Sequence, residues 1–359
     1  MACRASRNIH GAVTGGQHAP ITVTSVMTTP VSGSPTPSAF AAGTTRPRSS
    51  ARSARHSPRI GRSSSAGWGR SRGRRRRVSP DVSADERVGS EARARVVADL
   101  ALLGGRLALE RFHHAHIAIK RDGTLVTDAD LAIQEALGRE IARAFPTDGF
   151  VGEEGPIGER CGEARYAWIL DPIDGTNNFA RGMPGFAVSV GVLRDGLPFA
   201  GAVYDPIARW LFTGCAGRGA WLNDRPLRVR SEPLAGDSLF AIRTPCEGGV
   251  PEYVERWLRH YRVRRFGSTA LHLCYVALGG LDFVHDHRAS LWDLAGAAPV
   301  VLEAGGVLTT DEGAAVFPVS AAQAAGAPIA LLAGQPASHA DAVRDVRAAR
   351  WGALTVSTP

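Results

Sequence analysis

Two aspartates three residues apart stand in the string Asp171-Pro172-Ile173-Asp174-Gly175-Thr176-Asn177-Asn178-Phe179, just ahead of a glycine and a hydroxyl. Paired carboxylates supply the hard oxygen donors that Mg²⁺ takes, and that cation keeps coordination positions for water and for phosphate oxygens. Gly175 lets backbone N–H groups approach a phosphate, and a helix opening at Thr176 adds favourable dipole charge. The string can therefore hold a cation and a phosphate side by side. A plainer reading has Asp171 and Asp174 capping the helix and closing an Asx turn, which employs one acid and leaves the other without a task.

Two further acidic pieces are weaker alone. Gly152-Glu153-Glu154 reads most simply as solvated surface, and Trp292-Asp293 as a ring beside a helix N-cap. Lys120 is the single lysine in a chain with 42 basic residues, and it precedes an Asp122-Gly123 turn. It is either a neighbour of phosphate and metal or an ordinary exposed lysine. His113, His114 and His116, and His285 with His287, lack the i, i+4 helical spacing of a zinc pair. Gly104-Gly105 and Gly279-Gly280 open no strand-to-helix dinucleotide fingerprint.

The elements that must position these groups follow from periodicity. Ser90 is expected to cap a helix whose Val96, Leu100, Leu103 and Leu107 form one stripe. A second helix follows Leu125 to Thr127, with Asp128 or Asp130 at its start, and Pro146 ends it. Ala167 to Leu170 is a buried strand running into Asp171-Pro172, and Ala187 to Leu193 forms a hairpin with Ala200 to Tyr204. A strand at Trp210 to Thr213 follows. Beyond residue 250, helices at Glu252 to His260, Ser268 to Leu278, Trp292 to Ala304 and Ser338 to Ala349 alternate with strands. Those strands are expected near Val263 to Phe266, Leu281 to His285, Val307 to Thr309 and Ile329 to Leu332. The alternation predicts an α/β or α+β layered domain.

Composition divides the chain. Residues 1–80 carry 14 arginines and no acid, +14 of a chain total of +8, which leaves the rest at −6. We expect 1–84 to be a disordered Arg/Ser-rich extension and 85–355 to be the folded domain. The extension fits a disordered arm or misassigned start, an organellar transit peptide, or a nucleic-acid-binding arm at Arg74 to Arg77. Five cysteines without a C-x-x-C pair exclude a disulfide framework and a zinc site and predict a reducing, cytoplasmic setting. No apolar run reaches the length of a membrane span, so no membrane partner is expected.

The string from Asp171 to Thr176 is similar to the D-P-[IL]-D-G-T signature of the inositol monophosphatase family. Val126-Thr127-Asp128-Ala129-Asp130 resembles that family's V-T-x-x-D element, Gly152-Glu153-Glu154 its G-E-E, and Trp292-Asp293-Leu294-Ala295-Gly296 its W-D-x-A-G segment, closed by Glu303-Ala304-Gly305-Gly306. These pieces occur in the family's order across residues 88 to about 335, nearly all of the expected domain. The resemblance implies a layered α-β-α-β-α sandwich, commonly a homodimer, acting as a lithium-sensitive Mg²⁺-dependent phosphatase of a small phosphorylated polyol. It further implies that Glu153, Asp171 and the Ile173 carbonyl hold a first Mg²⁺ and that Asp171, Asp174 and Asp293 hold a second. Asp130 and Thr176 correspond to the hydrogen-bonded pair that orients the attacking water, with Glu153 assisting, and Asp174, Gly175 and Thr176 meet the phosphate.

The resemblance is looser at the pocket wall, where Asp286 stands in the place of a family glutamate that contacts inositol hydroxyls and Thr269 replaces a small residue. Myo-inositol 1-phosphate is the substrate this implies first. Histidinol phosphate, fructose 1,6-bisphosphate and 3′-phosphoadenosine phosphate are served by the same metal signature elsewhere in the superfamily. A separate class of reading makes the chain an RNA-associated protein through its basic arm.

Overall fold

A computed structural model describes residues 84–355, apart from 121–122, 156–163, 247–248, 320–322 and 324–325. Residues 1–80, with Arg74 to Arg77, lie outside the described residues, as does Asp122 of the turn expected after Lys120. The first helix, α1, spans Ala84–Arg111. Ser90 therefore lies inside it and caps nothing; its hydroxyl meets the Tyr166 hydroxyl at 2.8 Å. The buried stripe is Val97, Leu100, Ala101 and Ala108, with Val96, Leu103 and Leu107 only partly covered. Gly104 and Gly105 face the sheet beneath, and a Cβ on Gly105 would come within 2.3 Å of the Tyr204 ring, so this pair serves close helix-to-sheet approach.

Strands β1 (Ile117–Ile119) and β2 (Leu125–Thr127) form a small antiparallel ribbon ahead of α2 (Asp128–Ala144). Thr127 caps α2 in a reciprocal box with Asp130. Seven strands then form one sheet in sequence order: β3 (Gly149–Gly152), β4 (Tyr166–Asp174), β5 (Ala187–Arg194), β6 (Leu197–Asp205), β7 (Trp210–Cys215), β8 (Gly219–Leu222) and β9 (Arg225–Pro226). Only β3 and β4 pair in parallel. Every residue of β4 is buried, because Trp168 and Leu170 join the core under α1 and α2 while Ile169 faces the opposite core. Between β4 and β5 lies the short helix α3 (Thr176–Ala180).

The second half places β10 (Leu239–Ile242), α4 (Glu252–His260), β11 (Arg262–Arg264), α5 (Thr269–Ala277), β12 (Phe283–Ala289), α6 (Leu291–Ala295), α7 (Ala298–Glu303), β13 (Val307–Thr310), β14 (Ile329–Gly334) and α8 (Pro336–Thr355). Its five strands are ordered β11-β10-β12-β14-β13. Leu271, Leu294 and Val300 of α5, α6 and α7 fill the space between the two sheets, against Val203 and Phe212 on one side and Leu331 and Ala333 on the other. Trp257 of α4 and Val346 of α8 cover the far face of the smaller sheet. The result is the expected α-β-α-β-α sandwich.

One expected helix is two. Where Trp292 to Ala304 reads as continuous, the chain breaks at Gly296-Ala297, because Pro299 lacks the N–H a continuous helix would donate to Ala295. The break sits on a row of glycines. Gly191, Gly201 and Gly214 are register partners across β5, β6 and β7. A Cβ on Gly201 would lie 2.2 Å from the Gly296 carbonyl oxygen, and one on Gly214 would lie 2.5 Å from the Val300 nitrogen. The sheet thus receives the α6–α7 backbone in a furrow that no other residue type would leave open.

Candidate metal and phosphate site

Pro172 interrupts the end of β4, and the pairing with β5 slips between Asp171 and Asp174. This slip turns both acids toward one side. Asp171 Oδ1 accepts from the Ile173 N–H at 3.0 Å. Asp174 caps α5: its Oδ2 accepts from the Ser268 hydroxyl and the Ala270 N–H, both at 2.6 Å, and its Oδ1 from the Thr269 N–H at 3.3 Å. Asp293 belongs to the first turn of α6, where its Oδ2 accepts from the Ser290 N–H at 2.9 Å. Three separate elements thereby bring carboxylate oxygens of Asp171, Asp174 and Asp293 within 4.8 Å of one another.

All three acids are buried, and the electrostatics follow. Burial, then the charges of Glu153, Asp174 and Asp293, pushes Asp171 well above the usual carboxylate range. Burial and the neighbouring Asp174 and Asp286 do the same to Asp293. Asp174 rises to about 6 by burial, held from going further by its bonds to Ser268, Ala270 and Thr269. Three ionised carboxylates this close in a covered place need a positive charge among them, and an all-oxygen donor set suits a hard divalent cation. The residues present fit Mg²⁺.

They open on a cavity of about 380 Å³ that Glu153, Ile173, Gly175 and Thr176 also line. Gly175 has φ 99°, and a Cβ there would stand 2.8 Å from the Gly185 carbonyl oxygen, so glycine is required on both counts. Helix α3 beyond it has only five residues, less dipole than the motif suggested. Glu153 reaches the cavity, yet its Oε1 receives Lys120 Nζ at 2.9 Å, and the same ammonium lies 2.5 Å from Glu154. Lys120 is half-buried between the two glutamates, which hold its proton more firmly than usual against the cost of its burial.

Two expected relationships take another form. Asp130 does not meet Thr176: its Oδ2 is occupied by the Thr127 N–H at 2.8 Å and hydroxyl at 2.5 Å, its Oδ1 makes no hydrogen bond among the described residues, and Thr176 Oγ1 donates to the Ile173 carbonyl at 3.0 Å. Burial raises Asp130 to about 7, opposed by the Thr127 bonds. Asp286 does not line the cavity. It lies behind the wall, its Oδ2 accepting from the Thr269 hydroxyl at 2.7 Å and its Oδ1 from the Arg288 N–H at 3.0 Å. An aspartate on β12 is too short to pass Thr269, so Thr269 is what lines the cavity there.

Three wall residues escaped the sequence reading. Arg243 follows β10 and places Nη1 3.5 Å from Asp286 and 3.7 Å from Asp293. Arg265 and His272 line the same cavity. Arg243 could have been suspected from its place at a strand's carboxyl end, where open sheets gather their ligand contacts. His272 is three residues beyond Thr269 and so shares its helix face.

Residues 91–349 match the model of the inositol monophosphatase family. Inositol monophosphatase 1 of Solanum lycopersicum is 37% identical over 61% of this chain and 84% of its own length. The Nus factor SuhB of Pseudomonas aeruginosa is 34% identical over 58% of this chain and 81% of its own. Among solved structures, the extragenic suppressor protein suhB from Bartonella henselae superimposes with a TM-score of 0.63 at 30% identity, covering 71% of this chain and 98% of that one. The ordered carboxylate motifs, the layered sandwich and the family match agree, and the chain belongs to the inositol monophosphatase family.

Proposed function

We propose that this phosphatase hydrolyses small phosphomonoesters of polyols in a Mg²⁺-dependent reaction, with myo-inositol 1-phosphate as its reference substrate. The observation that carries the reading is the convergence of Asp171, Asp174 and Asp293 within 4.8 Å beside Gly175 and Thr176 in one cavity. Asp171, Asp174 and Asp293 would hold one cation, and Asp171 with Glu153 and the Ile173 carbonyl a second. When bound, Mg²⁺ lowers the pKa of water and neutralises charge on the phosphoryl oxygens. The chain's own contributions are distinct from that. Gly175 and Thr176 bring backbone N–H groups to the phosphate. Thr176 Oγ1, once released from the Ile173 carbonyl, orients water toward phosphorus, with the open Oδ1 of Asp130 as its acceptor. Asp130, near pH 7 in its titration, is suited to hold and pass a proton.

The test is phosphate release from myo-inositol 1-phosphate with and without added Mg²⁺. Turnover undiminished in excess EDTA would refute the reading. A second reading draws on the acid-free, Arg-rich residues 1–80: association with nucleic acid. Salt-dependent RNA binding by the full chain that vanishes on removal of residues 1–80 would support it.

A further inference from the structure

Beside the carboxylates, the cavity is also lined by the nitrogen-bearing side chains of Arg243, Arg265 and His272. Arg265 lines the cavity, and its one hydrogen bond sends Nη2 to the Thr244 carbonyl oxygen at 2.5 Å. No carboxylate pairs with it among the described residues, and the residue is exposed, so most of this guanidinium's five donors are bonded to water that a ligand could displace. Arg243 is the residue before Thr244, so the two guanidinium groups are carried by segments tied together at that carbonyl. Arg243 is partly balanced by Asp286 and Asp293, but a cation on Asp293 removes much of that balance.

His272 completes the wall. Its Nε2 accepts from the Phe266 N–H at 2.9 Å, which assigns the proton of the neutral ring to Nδ1. Burial, with Arg265 nearby, lowers it to about 4 against the pull of Asp286, so the ring is neutral and a donor at physiological pH. Asp286, the acid expected to meet substrate hydroxyls, is spent on Thr269 and Arg288 behind the wall. A wall of N–H donors with an uncompensated positive charge is complementary to an oxyanion more than to a neutral alcohol.

We propose that Arg265, with Arg243 and His272, forms a second anion subsite in the cavity, so that the preferred substrates are small phosphomonoesters bearing a further oxyanion, either a second phosphate or a carboxylate. This rests on the phosphomonoesterase reading and specifies its substrate class. The phosphate that is cleaved lies at the carboxylates and Gly175, while the second group pairs with Arg265 and is not transformed.

The experiment compares kcat/KM, with Mg²⁺, for myo-inositol 1-phosphate, myo-inositol 1,4-bisphosphate and 2-phosphoglycerate, in the wild type, Arg265→Ala and Arg265→Lys. Arg243 is left intact because it touches Asp293. At least one doubly anionic substrate should exceed myo-inositol 1-phosphate in the wild type, and which one does so identifies phosphate or carboxylate as the second group. Arg265→Ala should cut that advantage roughly tenfold, through KM, and Arg265→Lys should restore part of it. A wild type that prefers the neutral polyol ester to both others, or an Arg265→Ala variant that changes all three by one factor, would overturn the subsite. If none of the esters is hydrolysed, the phosphomonoesterase reading fails by itself. Calorimetric binding of the bisphosphate then decides the subsite: weaker binding to Arg265→Ala supports it, and equal binding to both proteins removes it.

Discussion

Thr269 donates its hydroxyl hydrogen to Asp286 at 2.7 Å, and so a side chain lining the cavity and the carboxylate behind it act as one unit. Asp286 also sits 3.5 Å from Arg243, which in turn lies 3.7 Å from Asp293. Removing the carboxylate strands a hydroxyl and loosens an arginine beside Asp293. Asp286→Ala is therefore expected to lower kcat/KM on a polyol phosphate and on p-nitrophenyl phosphate alike, and to cost roughly 1–3 kcal/mol of stability. Denaturant titration and steady-state kinetics check both; a loss confined to the polyol ester would place Asp286 on the substrate instead.

Asp293 and Asp174 should answer differently to the same isosteric change. Asp293 accepts one backbone N–H, a duty an asparagine oxygen can keep, so Asp293→Asn should fold normally while turnover falls by roughly a hundredfold or more. Asp174 accepts from three donors, and in Asp174→Asn an amide nitrogen must confront at least one of them. That variant should lose activity and also melting temperature. Near-normal turnover by a folded Asp293→Asn protein would remove this carboxylate from the cation site.

The buried acids make stability depend on pH and on cation together. Asp130 moves from 3.8 to about 7 on folding and Asp174 to about 6, so between those limits the folded state binds more protons than the unfolded one. The stabilisation is complete below the unfolded value and is lost as pH rises through 6 and 7. In EDTA the Tm should fall from about pH 5 to about pH 8, and saturating Mg²⁺ should flatten that slope by binding the ionised carboxylates. A Tm that rises over the same interval in EDTA would contradict the shifts.

Gly201→Ala tests the furrow. The added Cβ would stand 2.2 Å from the Gly296 carbonyl oxygen, and its three nearest atoms are all Gly296 backbone, with no flexible side chain to yield. Overpacking of this kind costs about 1–3 kcal/mol or more. Because Gly296 follows α6, turnover should fall as well, and thermal melting with kinetics at saturating Mg²⁺ reads both effects. An unchanged Tm would mean that the furrow widens freely.

Removing residues 1–80 is expected to leave Tm and the catalytic constants unchanged, because an acid-free stretch without apolar periodicity has little to bury. Scanning calorimetry on both chains is the check, and a large drop in Tm would show that these residues contribute to the core.

The parts legible in the sequence were those governed by local chemistry. The apolar run before Asp171 had to be a covered strand, Glu252 to His260 formed the expected helix, and the run from Ala187 to Leu193 paired with the one from Ala200 to Tyr204 as a hairpin. What escaped depends on partners distant in the chain. Ser90 looked like a cap because Tyr166, which takes its hydroxyl, lies 76 residues away. Arg243 enters the site only because β10 lies beside β12, whereas the division of α6 from α7 has a local cause in Pro299 that the helical pattern overrode. The three carboxylates could be named from their motifs, but the occupation of Glu153 by Lys120 could not.

Asp174 has two attachments that matter jointly. The carboxylate that converges with Asp171 and Asp293 also receives, on Oδ2, the Ser268 hydroxyl and the Ala270 N–H that begin α5, and α5 carries Thr269 and His272 to the cavity. A cation held at Asp174 and an alcohol held against α5 would thus both act on one side chain. By reciprocity, whatever cation occupancy does to the seating of α5, the fit of the alcohol must return to cation affinity in equal measure. Selectivity for the leaving group then becomes a property that shifts with the metal supplied, so the rank order of substrates measured with Mn²⁺ need not be the order measured with Mg²⁺.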